Sequence, residues 1–495
     1  MALPTTPHWI GGRRHESTGE YLEVLDPATG APLSTVGLAD AGVVKQAVAA
    51  AVAAFPAWRD TPPSRRAQVL YAFRNLLREH TDEIAALITA EHGKTLDDAR
   101  GEVARGIEAV ELACGVPALL KGEFSEQTGT NVDTFSMLQP LGVCVGITPF
   151  NFPVMIPLMK IAVAIAAGNT FVLKPSEQDP GPAILLAGLA AQAGLPEGVL
   201  SVVHGQQDTV EALIDHPDVA AVSFVGSSRV AHSVYRRAAE AGIRVQALGG
   251  AKNHLVVMPD AKIDAAADAL ASAAFGSAGQ RCMAITTAVV VGDAAEPLLA
   301  ALAERAEAVT MGPGTTPGTE MGPLVSAAAQ KRVRGLVARA VANGVRPVVD
   351  RSTETVPGAE GGFFVGPTVL DEVSPEMEIY RDEVFGPVLI VLRVDTLDQA
   401  LRLIQVNEYG NGAAIFTRSG AAARKFQREA AAGMVGVNVP IPVPVAPYSV
   451  AGWKNSIFGD TGLNNGAWRF YTQPKYVTSR WDDAVAGVDL GFRPN

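Results

Sequence analysis

The sequence predicts an α/β protein with two parallel-sheet domains and an added extended arm. Three observations carry this. Between 143 and 248, short β-branched runs alternate with Ala-rich segments of helical spacing, and a second series of the same kind begins near 253. Outside both series, 132–140 and 469–481 alternate like strands and are expected to pair. Strand–helix alternation at this spacing implies parallel crossovers, because a strand returning in the same direction needs a helix-length connection.

In chain order, a short extended region comes first. Residues 40–120 read as helices: Asp40 is placed to cap the first, and apolar residues recur at helical spacing in "VVKQAVAAAVAAF" and "AQVLYAFRNLLREHTDEIAALITAEHG". The first alternating series has strands "VCVGITPF", "TFVLKPS", "LSVVHG", "AAVSFVG" and "RVQAL", with "GPAILLAGLAAQAG" and "RVAHSVYRRAAEAG" among its helices. Its spacing is that of a nucleotide-binding sheet. The second series runs through "HLVVMPD", "AITTAVVVGD", "FGPVLIVLRV", "GAAIFTRS" and "GMVGVNVP". The two arm stretches are "VDTFSMLQP" and "RFYTQPKYVTSRW".

Composition sets limits. A chain of 495 residues builds two or three domains around a large core. With 48% hydrophobic and 18% charged residues, it reads as a globular enzyme and not a disordered chain. The net charge of −11 argues against a nucleic-acid surface. Cys114, Cys144 and Cys282 are too few and scattered for a disulfide framework or a metal site, which points to a reducing compartment. The first residues lack the apolar core of a signal peptide. The apolar region 141–173 is broken by Pro149, Asn151, Pro153, Pro157 and Lys160, so it is not a simple membrane span. A cytoplasmic location with no nucleic-acid or membrane partner is expected.

Three local features bear on chemistry. Gly226 ends an apolar strand and opens a helix, a junction that offers free backbone N–H groups to a pyrophosphate; an ordinary strand–helix turn reads the same way. Lys174 and Glu177 in "LKPSE" stand at another strand end, where a carboxylate accepts from ribose hydroxyls; a solvated charged loop is the alternative. Cys282 follows "FGSAGQR". Its thiolate is a useful nucleophile if a cation or helix N-terminus lowers its pKa; otherwise it is a small buried side chain. The adjacent Arg281 needs an anionic partner.

"PFNFP" (149–153), "LKPSE" (173–177), "FVGS" (224–227), the Cys282 segment and "DEVFGP" (382–387) occur in the order and spacing of the aldehyde dehydrogenase superfamily, which the chain resembles over nearly its whole length. Within it, "GAKNH", "GQRCMA", "GVNVPIPVP" and "FYTQ" resemble the CoA-acylating branch that handles methylmalonate and malonate semialdehydes. The resemblance implies an aldehyde dehydrogenase-like fold: a Rossmann-like NAD-binding domain (1–122 and 142–248), an α/β catalytic domain (249–440), and a β oligomerisation arm with C-terminal tail (123–141 and 441–495). It implies a homo-oligomer, a tetramer built from dimers.

By the same resemblance, Cys282 is the nucleophile and Asn151 an oxyanion donor. Thr148, Phe150, Lys174, Glu177, Gln178, Gly226, Ser227, Gly249, Glu383 and Phe385 hold NAD. Arg105 and Arg281 take the carboxylate of a small semialdehyde acid; for Arg105, an i, i+3 pair with Glu102 or Glu108 is the alternative. Coenzyme A is the co-substrate, because Ala247 in "VQALGG" stands where hydrolytic relatives carry a glutamate that activates water. The expected products are propanoyl-CoA, as in valine breakdown, or acetyl-CoA. A hydrolytic NAD-dependent aldehyde dehydrogenase is the alternative. A cysteine hydrolase using His204 or His254 as base is a more distant one. Two departures from the family pattern are Ala231, where many relatives have glycine, and Gln178, where this branch often has arginine.

Overall fold

Alternate residues of Val143–Ile147 and its neighbours are buried on opposite faces, so helices must cover both sides of their sheet. They do. A computed structural model describes residues 3–17, 19–460 and 462–481. In it Cys144, Phe171 and Leu173 pack into one core with the helices Pro63–Glu79, Leu96–Cys114 and Met155–Ala166. Val143, Val145, Ile147 and Val172 pack into another with Ala41–Asp60 and Ser228–Glu240. Ala41–Asp60 is long and apolar enough to cross a membrane by composition alone, but its Val44, Ala47, Val48 and Ala51 lie in this core. Asp40 caps it, accepting from the Val43 N–H at 2.9 Å.

The strand order of this first sheet is Ile457–Gly459, Arg244–Leu248, Val219–Val225, Val143–Ile147, Thr170–Lys174, Leu200–Val202, His8–Ile10, Arg13–His15. The five strands of the first alternating series run parallel. From Val143–Ile147 the chain adds strands first on one side, through Thr170–Lys174 and Leu200–Val202, and then on the other, through Val219–Val225 and Arg244–Leu248. A topological switch point therefore lies between Val143–Ile147 and Val219–Val225, where the carboxyl ends of the strands open a crevice.

The second sheet is ordered Arg346–Asp350, Thr368–Asp371, Val388–Val394, Ile285–Val291, Asn253–Val257, Gly412–Phe416, Met434–Val437, parallel except at its Arg346–Asp350 edge. The two arm stretches pair as the alternation predicts: Thr472–Arg480 runs antiparallel to Val132–Pro140, from Thr472 opposite Pro140 to Arg480 opposite Val132, with Phe124–Gly129 on the far side.

One expectation needs correction. Residues 441–495 do not all belong to the arm and tail: Ile457–Gly459 adds to the Arg244–Leu248 edge of the first sheet. Phe458 stacks there on Tyr235 and meets His232 edge-on, an apolar anchor that covers an otherwise open edge. Residues 482–495 of that expected segment lie outside the described residues.

Candidate active site

Beyond the helix Ile263–Phe275 and its cap Gly276 come three consecutive left-handed residues, Ser277 (φ 53°), Ala278 (φ 51°) and Gly279 (φ 69°). Such backbone costs about 1–2 kcal/mol at each non-glycine residue, so the surroundings must enforce it. At Gly279 a Cβ would sit 2.1 Å from the Gly386 carbonyl oxygen, so no other residue fits. The Ser277 N–H donates to Asp98 Oδ2 at 3.1 Å, and Gln280 Oε1 accepts from the Val325 N–H at 3.0 Å. Asn151 Nδ2 donates to the Gln280 carbonyl at 3.0 Å. The Cys282 carbonyl accepts from Asn253 Nδ2 at 2.9 Å and Asn411 Nδ2 at 3.1 Å. The turn delivers Cys282 to a fixed place.

That place is the boundary between two cavities. One, of about 400 Å³, lies along the helices Leu96–Cys114 and Met155–Ala166; the other, of about 440 Å³, occupies the crevice at the switch point. Cys282, Val225 and Gly249 line both. Arg105 and Arg281 line the first. Phe150, Asn151, Gly226, Ser227, Glu383 and Phe385 line the second.

Burial pushes the Cys282 thiol up to about 11, and the nearby Glu383 carboxylate adds to the shift. Neither a cation nor a helix N-terminus offsets this shift at Cys282. Arg281 turns instead to Asp98, with Nη2 2.6 Å from Oδ1, and the preceding helix presents its C-terminal end. Burial also pushes Glu383 up to about 7, partly offset by the Ala251 N–H at 3.0 Å and by Lys252 and Arg332. Lys252, brought down to about 7 by burial, donates to the Ile379 and Asp382 carbonyls at 2.7 and 2.8 Å and so anchors the Glu383 loop.

The Asn151 loop rests on a buried ion pair that sequence reasoning missed. Lys94 Nζ lies 2.7 Å from Glu102 Oε2 and also donates to the Asn151 carbonyl at 2.7 Å. Glu102 Oε1 accepts from the N–H groups of Val154 and Met155 at 2.8 and 3.1 Å. Both side chains are fully buried, where only mutual pairing and saturated hydrogen bonding make charge tolerable. A lone lysine and a lone glutamate eight residues apart carry no sequence signal for this.

The remaining expected residues lie further along the strand ends. The Thr148 N–H donates to the Lys174 carbonyl at 3.1 Å, Lys174 Nζ lies 3.0 Å from Glu177 Oε2, and Gln178 is exposed. These four do not line the cavity at Cys282. Arg105 makes the i, i+3 pair with Glu108, at 2.9 Å, while also facing the first cavity. The Ala231 methyl is buried in the core and does not line the crevice. His204 Nε2 donates to the Pro7 carbonyl at 3.0 Å, and His254 Nε2 is 3.0 Å from the Tyr380 hydroxyl. Burial brings each down to about 3, and neither lines a cavity, so neither serves Cys282 as a base.

The crevice suits a dinucleotide. Ser227 enters the helix Ser228–Glu240 in extended conformation without a side-chain cap, and no acidic residue occupies the first turn, so the N–H groups there remain for an anion. A Cβ on Gly250 would sit 2.5 Å from Glu383 Oε2. The space is kept open by glycine.

Residues 14–477 match the aldehyde dehydrogenase family. The chain is 53% identical to the malonate-semialdehyde dehydrogenase of Pseudomonas aeruginosa over 97% of both chains. It is 48% identical to the acylating, mitochondrial methylmalonate-semialdehyde dehydrogenase of Arabidopsis thaliana, over 99% of this chain and 81% of that one. Among solved structures, methylmalonate-semialdehyde dehydrogenase of Oceanimonas doudoroffii superposes with a TM-score of 0.96 at 50% identity, covering 98% of this chain and 99% of that one. A Sinorhizobium meliloti chain assigned the same activity and complexed with NAD superposes with a TM-score of 0.96 at 47% identity, with the same coverage.

Proposed function

The chain belongs to the aldehyde dehydrogenase family, and from that premise we propose that it oxidises malonate semialdehyde and methylmalonate semialdehyde to acyl-CoA. Cys282 Sγ attacks the aldehyde carbon. Asn151 spends one Nδ2 proton on Gln280, leaving the other, together with the Cys282 N–H, for the oxygen that becomes negative. When bound, NAD supplies the hydride acceptor. Gly226, Ser227 and the helix start at Ser228 would hold its pyrophosphate, and Lys174 and Glu177 its adenosine ribose. Glu383, Phe385 and Phe150 would hold the nicotinamide end, with Thr148, Gln178 and Gly249 flanking. Arg105 and Arg281 would share the substrate carboxylate with their own acidic neighbours.

Release of the acyl group is the step that separates this reading from hydrolysis. The carrying observation is Ala247: it is fully buried and offers no proton acceptor. The adjacent Gln246 is turned into the core, accepting from Ser223 Oγ at 2.8 Å and donating to the Gly462 carbonyl at 3.2 Å. With no carboxylate at position 247 to activate water, and with Glu383, the other carboxylate at the crevice, engaged with the nicotinamide ribose, coenzyme A takes the acyl group, entering the cofactor crevice after NADH leaves. Loss of the β-carboxylate before transfer yields propanoyl-CoA from the methyl substrate and acetyl-CoA from the other, the enolate being stabilised at the Asn151 site. Without CoA, NADH is expected in a burst near one equivalent per site, followed by very slow turnover. Fast, sustained turnover to a free acid would establish the hydrolytic alternative.

We also propose a cytoplasmic homo-oligomer, a tetramer built from dimers, assembled through the arm. In support, Phe124 and Tyr476 of the arm sheet are 66% and 71% exposed.

A further inference from the structure

We infer that the site accepts malonate semialdehydes carrying a 2-alkyl group longer than methyl, up to about butyl; this rests on the semialdehyde reading above. The first cavity holds about 400 Å³. Malonate semialdehyde has six non-hydrogen atoms, which fill about 180 Å³ even at the liquid-water share of about 30 Å³ per heavy atom. More than half of the space is left over.

The chemistry of the remaining space is one-sided. The charged groups gather on one wall, where Asp98 pairs with Arg281 and Glu108 with Arg105. Asn411, Ser456 and Asn464 also lie on the lining, and most of what remains is apolar, with Phe152, Met155, Met159, Met283, Met434 and Leu463 prominent. These apolar side chains offer nothing to a second polar group. Four of the six are methionines, unbranched and polarizable, which adapt to guests of different shape.

Carbon 2 of the substrate is tetrahedral. With the aldehyde carbon on Cys282 and the carboxylate toward the arginines, the 2-substituent must leave in another direction, toward the apolar wall. Each methylene buried there gains roughly fourfold in affinity. The reaction balances as for the methyl substrate. The aldehyde hydrogen leaves as hydride to NAD, and the bond from carbon 2 to the carboxylate breaks to release carbon dioxide. Its electron pair takes up the proton given by the CoA thiol, and the acyl carbon passes from Cys282 sulfur to CoA sulfur. Ethyl, propyl and butyl substrates then give butanoyl-, pentanoyl- and hexanoyl-CoA.

The test is kcat/KM for the series with hydrogen, methyl, ethyl, propyl and butyl at carbon 2, at saturating NAD and CoA, with acyl-CoA products identified by mass. Values that hold or rise from methyl to propyl, by up to about fourfold per methylene, with the matching acyl-CoA, are expected. A fall of tenfold or more from methyl to ethyl overturns the inference. Met159→Trp is expected to lower the ratio of propyl to unsubstituted substrate at least tenfold; an unchanged ratio removes the apolar wall from the argument and overturns it likewise. If the methyl substrate itself gives no CoA-dependent NADH, the semialdehyde reading fails and this one falls with it.

Discussion

Asp98 binds Arg281 with a 2.6 Å ion pair, and its other carboxylate oxygen holds the Ser277 N–H at 3.1 Å. One side chain on the Leu96–Cys114 helix thus grips both the arginine beside the nucleophile and the strained turn before it. At Gly276 a Cβ would meet the Arg281 guanidinium at 2.5 Å, so the arginine folds back over a glycine to reach its partner.

Asp98→Ala is expected to lower kcat about tenfold, the value of one charge-assisted hydrogen bond of about 1.5 kcal/mol. It should also raise KM for the semialdehyde acid. Asp98→Asn keeps an acceptor for Ser277 and is expected to recover kcat while KM for the acid stays raised. Steady-state kinetics on malonate semialdehyde and on propanal decide the matter: equal losses on both substrates in both variants would mean general damage.

Arg105→Leu and Arg281→Leu are each expected to raise KM for the semialdehyde acid at least tenfold, the order of one charge-assisted hydrogen bond, and to spare propanal. The comparison is internal to each variant, so a folding defect, which lowers both, is visible as such.

Cys282→Ala is expected to abolish NADH formation while NAD binding by calorimetry persists, because the other residues that line the crevice are unchanged. Glu383 raises the thiol pKa, so Glu383→Gln is expected to lower it and to speed iodoacetamide inactivation at pH 8 by roughly two- to tenfold. Since Glu383 ionises near 7, the wild-type alkylation profile should lag behind that of the variant mainly above pH 7, where the carboxylate is charged. Identical profiles would remove Glu383 from the thiol's surroundings.

Much of this architecture was legible in the sequence. The β-branched runs of 143–248 gave their parallel strands because runs buried on both faces read as continuous apolar stretches. The period-two alternation of 132–140 and 472–480 was enough to pair strands more than three hundred residues apart. Cys282, Asn151, Glu383 and Phe385 stood in recognisable blocks, and the structure gathers them. What stayed hidden depends on side chains meeting across the fold. Ser277 and Ala278 take left-handed backbone that their residue types do not announce. Arg281 called for an anionic partner, but nothing in the sequence pointed to Asp98, which lies 183 positions away. Asn253 and Asn411, which hold the Cys282 carbonyl, were ordinary asparagines until the second sheet placed them side by side.

Removing one half of the Lys94–Glu102 pair should be costly. Glu102→Gln is expected to destabilise the protein by about 3–5 kcal/mol, the range for an uncompensated buried charge. It should also lower kcat, because the Asn151 loop loses its anchor. Denaturant unfolding of Glu102→Gln, Lys94→Met and the double variant measures the coupling. A double variant no more stable than the sum of the single losses would argue against direct pairing.

The Ile457–Gly459 strand closes a sheet whose other strands are synthesised long before it. As the chain leaves the ribosome, residues 143–248 can assemble their parallel strands while the Arg244–Leu248 edge still has no neighbour. Roughly 200 residues must follow before its partner appears, which at about 5–20 residues per second leaves the edge open for about 10–40 s. During that interval a row of unpaired backbone groups faces other nascent chains. Yield in the cell should therefore depend on translation speed through the second half of the message and on chaperone supply, even for variants whose finished fold is fully stable.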